Sequence, residues 1–354
     1  MYRIEAPSTA ALKAYSNKYA PILRSSIEYY LNGGGLIREF GRKKILKCKI
    51  GIKPNSNSFI ARFLNKLSEG NNIEKLLYGD FAILLKVIRI LTAKCPDYSQ
   101  KLTKSRLVSI KYKTTEILED FHSIVYDIFV EKIYDNPAAF DKTEFIKNRK
   151  LKICPYCGIS IIESIEAKDN YVIKPHIDHF LPKSIYPFLA LSFYNLIPSC
   201  PECNMVPNKG DKDPLSIDRK ILHLMNPYGF NEGAFIFDYN YNAGGEFDEN
   251  NFSVFIDYLD NLHLQKGYND ITFIETLYHQ RKAELKALWL KIKSLNKSRL
   301  KFAEAVLPDA TTDELLSPDC VFGYALDEKN SRVYAMFKFN KDLYYKIVKN
   351  EVNP

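Results

Sequence analysis

Apolar residues recur at three- and four-residue spacing through much of the first 135 positions, the period of helices with one face turned inward. Tyr19, Ile22, Leu23, Ile27 and Leu31 mark one stripe behind a capping pair, Ser16-Asn17, and Gly33-Gly34-Gly35 stops it. Phe59, Phe63, Leu64 and Leu67 mark a second helix ending near Gly70. A third runs through Ile73, Leu76, Leu77, Phe81, Leu84, Leu85, Ile88 and Leu91; being apolar around much of its circumference, it reads as buried. A fourth extends from the neighbourhood of Lys104 to Tyr134, with Phe121, Ile124, Val125 and Ile128 on one stripe and Asn136-Pro137 at its end.

Beyond residue 230 the period changes. Phe235, Phe237, Tyr239 and Tyr241 alternate, Gly244-Gly245 turns the chain, and Phe252, Val254, Ile256 and Tyr258 alternate again, which predicts a β-hairpin or a larger antiparallel piece. Helix returns over 270–305, with Trp289 in its core face. Val321–Leu326 and Arg332–Phe339 read as two strands, followed by a short lysine-flanked helix. The predicted fold class is α+β. A mainly helical, basic region spans 1–150, a small core spans 151–216, and a mixed hairpin and helical region spans 217–354.

Composition narrows the class. A chain of 354 residues, 46% hydrophobic and 26% charged, can bury a core and favours two or three units. No apolar run is long enough to span a bilayer and the N-terminus lacks a signal pattern, so a soluble cytoplasmic protein is expected. Residues 1–153 carry 28 Lys and Arg against 15 Asp and Glu, while the remainder carries 22 against 27. That asymmetry, with the segment Arg42-Lys43-Lys44, Lys47, Lys49 and Lys53, suits a polyanionic partner. There is no phosphate-binding loop and no dinucleotide fingerprint, so nucleotide hydrolysis would require another chain.

Of the seven cysteines, Cys48, Cys95 and Cys320 are scattered and the other four form two CxxC pairs, which is not a secreted disulfide framework. The pairs lie in a 59-residue stretch, Cys154 to Lys212. It opens with Cys154-Pro155-Tyr156-Cys157-Gly158, passes through His176-Ile177-Asp178-His179-Phe180-Leu181-Pro182-Lys183-Ser184, and closes with Asn195-Leu196-Ile197-Pro198-Ser199-Cys200-Pro201-Glu202-Cys203-Asn204 and Lys209. Each CxxC turn aims two thiolates at one point, and four thiolates make a closed tetrahedral zinc site with no open position. Chemistry must therefore come from the residues between them. Asp178 offers a hard oxygen and Asn204 a carbonyl, a pair suited to Mg²⁺ or Mn²⁺, and His179 can take a proton from water near neutral pH. Neighbours on a regular strand point to opposite faces, so Asp178 and His179 share a site only on a distorted strand or around a straddling ion. His122, His223, His263 and His279 lack ligand spacing and read as structural.

This stretch, about the central sixth of the chain, resembles the HNH endonucleases of the ββα-metal class, in the subgroup with a four-cysteine zinc knuckle. The resemblance implies a strand ending at the Asp-His pair (here a strand read over Tyr171–His176), a second strand near Asn195, and a helix opening at Asn204 and running towards Lys212. It makes His179 the general base, Asp178 and Asn204 the ligands of a catalytic Mg²⁺ or Mn²⁺, and Asn195 the residue that fixes the loop and orients His179. Asn204 stands where the final His of the motif often does. His176, Lys183, Lys209, Lys150 and Lys152 would face the nucleic acid, with DNA as the expected substrate. The HIDHFLPKS and NLIPSCPECN wording is also similar to HNH subunits of bacterial anti-phage systems of the Septu-type and retron-linked kinds, which implies an ATPase or another defence protein as partner. The competing class is a non-catalytic zinc module that binds nucleic acid or a protein.

Overall fold

The first apolar stripe forms helix α1 (Thr9–Leu31) in the computed structural model, which describes residues 2–33, 55–95, 121–163, 165–166, 172–173, 175–216, 226–241, 251–259, 261–294, 305–306, 311, 314, 317–327 and 330–348. The basic segment 42–53, the first part of the fourth predicted helix and Gly244-Gly245 lie outside the described residues. The chain divides into two compact units, one of Ala6–Phe145 and Ile177–Ile197, the other of Met1–Glu5, Ile146–His176 and Pro198–Pro354.

The first unit is helical. Ser8, and not the predicted Ser16-Asn17, caps α1: its hydroxyl accepts from the Ala11 amide at 3.2 Å, while Ser16 is buried within the helix. Helix α2 (Phe59–Ser68) follows its predicted span, capped by Ser58. The single long helix expected over Ile73–Leu91 is two, α3 (Asn72–Tyr78) and α4 (Phe81–Lys94). They break at Gly79, where a Cβ would lie 2.2 Å from the Lys75 carbonyl oxygen, and Asp80 restarts the helix by accepting from the Ile83 amide. Only one stripe of α4 is buried (Leu84, Ile88 and Leu91); Ile83 and Ile90 are exposed, so its apolar circumference overstated its burial. Helix α5 (Phe121–Tyr126) passes into a π-helical stretch, Asp127–Tyr134, whose wide turn shows in the Asp135 amide reaching back five residues to the Val130 carbonyl at 2.7 Å. The core is aromatic. Tyr15, Tyr19, Tyr134, Phe140, Phe145 and Phe193 pack with ring centroids 4.7–6.1 Å apart, and the Tyr15 hydroxyl donates to the Leu191 carbonyl.

The second unit is mixed. Helix α6 (Lys142–Arg149) leads into its cysteine-bearing segment, where β1 (Ile165–Glu166) pairs antiparallel with β2 (Val172–Ile173). The strand read over Tyr171–His176 is divided at Pro175, which lacks an amide proton; β3 (His176–His179) starts after it and pairs with β4 (Leu196–Ser199), and Ile177–His179 and Leu196-Ile197 of this pair belong to the first unit. The predicted hairpin forms as β5 (Ile236–Tyr241) against β6 (Phe252–Asp257), with Tyr239 opposite Val254 and Tyr241 opposite Phe252. Its inner face packs on α8 to α10 and on the C-terminal helix, after the one-turn α7 (Pro201–Asn204): α8 is Leu262–Ile271, α9 Ile274–His279 and α10 Lys282–Ser294. The two predicted C-terminal strands do not form. Ser317 caps a short α11 (Pro318–Phe322), Gly323 ends it in the left-handed region, and α12 (Phe337–Ile347) begins within the last three residues of the second segment. Phe237 meets Tyr278 at 4.2 Å and Phe339 at 5.6 Å, and its amide donates to Asp342.

The molecule is thus α+β with small two-stranded sheets. Among the described residues, no helix is long and apolar enough to cross a membrane.

Candidate metal centre and Asp-His loop

Cys154 and Cys157 lie on a knuckle held by its own backbone. The Cys154 amide donates to Ser160, and the Gly158 amide donates to Cys154, each at 2.8 Å. Gly158 has φ +68°, the left-handed turn that lets the chain double back after the second sulfur, which explains glycine there. Cys200 and Cys203 flank the start of α7, where Pro201 occupies the first helical position. All four sulfurs are buried and lie within 4.8 Å of one another, and Cys157 Sγ is 4.0 Å from Cys200 Sγ. Tetrahedral zinc at about 2.3 Å from each sulfur requires an edge of roughly 3.8 Å. Backbone amides of Ile159 and Cys200 point at Cys157 and Cys154 sulfur at 3.4 Å, donors that suit thiolates.

Burial pushes the Cys154 thiol up, whereas hydrogen bonds from Cys154, Cys200 and Cys203 hold Cys157 far below its ordinary value. Sulfurs packed this closely cannot all carry charge without a positive ion among them. The donor set therefore fits zinc: four buried cysteines within binding distance could hold one ion. The surrounding unit braces the knuckle, with the Tyr278 hydroxyl donating to the Cys157 carbonyl at 2.6 Å and the Met336 amide to the Gly158 carbonyl.

Asn204 ends α7 instead of opening a helix. The segment to Lys212 turns away because Pro207 has no amide proton to continue a ladder and Gly210 adopts φ +47°. Asn208 closes the turn, donating to the Glu202 carbonyl and accepting from the Phe273 amide. Within the same unit the Asn204 side-chain amide donates to His176 Nδ1 at 3.3 Å, so these two predicted residues meet. Lys209, expected to face a phosphate, is buried at 1% exposure. Lys150 is exposed, and Lys152 is exposed and paired with Glu163.

The other unit holds Asp178, His179 and Asn195, all buried. Asn195 staples the loop that follows β3. Its amide oxygen accepts from the Leu181 amide at 2.7 Å, and its amide nitrogen donates to the Leu181 and Leu189 carbonyls at 3.1 Å. The next carbonyl, Ala190, lies 3.1 Å from His179 Nε2. A carbonyl can only accept, so Nε2 carries the proton, and in the neutral ring Nδ1 is the basic nitrogen. Tyr134 packs edge-on against His179 at 4.5 Å between centroids. Burial, then the charges of Asp135 and Asp178, push the Tyr134 phenol up, so it stays protonated.

Lys183 is tied to Asp135 at 2.9 Å. His122 lies buried with Nε2 donating to the Ser184 carbonyl at 2.9 Å, and so helps hold this loop. Tyr134, Asp135 and Lys142 gather here from more than 35 residues upstream, and no local spacing in the sequence marks them.

No family model matches the chain, and no solved structure matches it. Over 183 residues it is 27% identical to Protein ea31 of Escherichia phage lambda, an alignment covering 48% of this chain and 53% of that protein. The chain spans about half the length of the curated relative it matches.

Proposed function

We propose that the chain is a metal-dependent endonuclease of the HNH type that hydrolyses phosphodiester bonds in DNA. One observation supports this most: the Asn195 staple sets the Ala190 carbonyl against His179 Nε2, which leaves Nδ1 as the base, one residue from the carboxylate of Asp178. His179 takes a proton from water, the water oxygen bonds to phosphorus, and the bond to the 3′ oxygen breaks in line, with that oxygen receiving a proton from solvent. Asp178 and Asn204 are the residues that would hold Mg²⁺ or Mn²⁺, an assignment resting on the motif and on their hard oxygen donors. Such an ion, when bound, neutralises charge on the phosphoryl and leaving oxygens. Donation from the Asn204 nitrogen to His176 is compatible with that role, because the metal would take the carbonyl oxygen. The four cysteines hold zinc for structure. A place beside an ATPase in an anti-phage system extends the reading and rests on the motif wording.

The four-cysteine cluster also favours a second reading, a zinc module that binds nucleic acid or protein without cutting. Cleavage of plasmid, single-stranded DNA and RNA with Mg²⁺ or Mn²⁺ separates the two. The nuclease loses about 10²–10⁴-fold in rate on His179→Ala while zinc content stays unchanged. Cleavage by that variant near the wild-type rate refutes the base assignment. A folded, zinc-loaded chain that binds nucleic acid but never cuts is the module.

A further inference from the structure

The π-helical stretch ends at Tyr134, and two ammonium groups lie on that one ring. Lys142 Nζ is 4.1 Å and Lys183 Nζ 4.7 Å from its centroid. Both are bound by the next residue. Asp135 Oδ1 accepts from Lys142 at 2.9 Å, and Oδ2 accepts from Lys183 at 2.9 Å. The side chains of Asp135, Lys142 and Lys183 are open to solvent by 42%, 32% and 27%, whereas the ring beneath them and His179 are buried.

A staple between the turn at Asp135 and the loop at Lys183 needs one lysine. Two on one carboxylate leave a net charge of +1, at the cost of repulsion between the ammoniums. Burial opposes the charge of Asp135, but hydrogen bonds from Lys142 and Lys183, with their charges, hold its carboxyl below the usual range, so the +1 persists at neutral pH. Each ammonium has three protons and neither is exhausted by Asp135. The other carboxylate whose charge reaches Tyr134 is Asp178, which the nuclease reading assigns to a metal. Since the Tyr134 and His179 centroids are 4.5 Å apart, both ammoniums lie within roughly 9 Å of the His179 ring. That is close enough for one strand to reach both the ammoniums and His179, since successive phosphates advance about 3.4 Å along the helix axis.

We propose that Lys142 and Lys183, fixed over Tyr134 by Asp135, form a seat for a backbone phosphate of the nucleic acid beside His179. The inference rests on the nuclease reading and names the groups that hold its substrate strand.

The test is the salt dependence of duplex oligonucleotide binding, with no divalent ion added, for the wild type, Lys142→Gln/Lys183→Gln and Asp135→Asn. Removing the seat weakens binding several-fold and lowers the slope of log K against log salt by about 0.9, the loss of one phosphate contact. Asp135→Asn does the opposite: it raises the seat's charge, so binding tightens and the slope steepens. A purely structural ion pair predicts lower thermal midpoints with the slope unchanged in both variants, and that result overturns the proposal. So does failure of the wild type to bind duplex or single-stranded oligonucleotide. Should the double lysine variant fold poorly by circular dichroism, the sign of the Asp135→Asn effect decides. Cleavage by His179→Ala is read in parallel. An inactive His179→Ala with an unaltered slope in the seat variants removes the seat and keeps the nuclease. A reduced slope with an active His179→Ala keeps the phosphate contact and removes the base.

Discussion

Asn195 satisfies three backbone groups of a buried loop with one side-chain amide. Asn195→Ala orphans the Leu181 amide and the Leu181 and Leu189 carbonyls, and each unpaired buried group costs about 1–3 kcal/mol. Partial relaxation leaves an expected loss of about 3 kcal/mol in urea unfolding, and a loss below about 1 kcal/mol would show that the loop holds itself. Asn195→Asp should also destabilise, since a carboxylate keeps the acceptor but supplies neither donor. Asp135 is the residue where pH enters. Its folded carboxyl titrates below the ordinary range, so its stabilising contribution is fully present above the unfolded value and is lost as pH falls through the lowered folded one. The difference in urea midpoint between wild type and Asp135→Asn should hold constant from neutral to mildly acidic pH and vanish in strong acid. A difference that instead vanished on raising the pH would contradict the pairing with Lys142 and Lys183.

At the scale of elements, the cysteine knuckle was legible because its chemistry is local: two CxxC pairs declare four ligands by spacing alone, and the structure gathers all four. Zinc should bind at one ion per chain, measured by elemental analysis, and Cys203→Ser should lose both the ion and cooperative unfolding, since the metal contributes folding energy directly. A zinc-free chain with an unchanged melting midpoint would contradict that. The amphipathic stripes of α1 and α2 and the aromatic alternation of β5 and β6 were equally readable, because period alone carries them. The errors share a physical cause. The segment 321–326 read as a strand, but the Ser317 cap, Pro318 and Gly323 favour a turn of helix, and these backbone preferences win. The helix expected after Asn204 fails at Pro207 for the same kind of reason. Tyr134, Asp135 and Lys142 could not be found from spacing, since only tertiary packing gives them to His179 and Lys183.

On the whole-molecule scale, the predicted core of 151–216 does not coincide with a unit of structure. Ile177–Ile197 belongs with the helices, where Tyr15 and Phe145 flank Phe193 and Tyr15 bonds the Leu191 carbonyl. The cysteine segments belong with the C-terminal unit, where Tyr278 and Met336 bond the backbone of the knuckle and Tyr2 bonds Ile153. A piece cut at 151 and 216 therefore keeps both CxxC pairs and the Asp-His strand but exposes two sets of aromatic contacts. Burying a Phe or Leu contributes about 1.5–3 kcal/mol, so losing several such partners exceeds the whole stability of a piece this small. The excised 151–216 peptide should still bind zinc through its four sulfurs, yet show no cooperative melt and no cleavage, whereas the intact chain melts cooperatively. Calorimetry on zinc-loaded peptide decides it. A sharp, reversible transition would mean that the motif folds by itself and that the flanking regions are accessories; a broad signal would mean that the flanking residues complete two separate cores through which the motif is threaded.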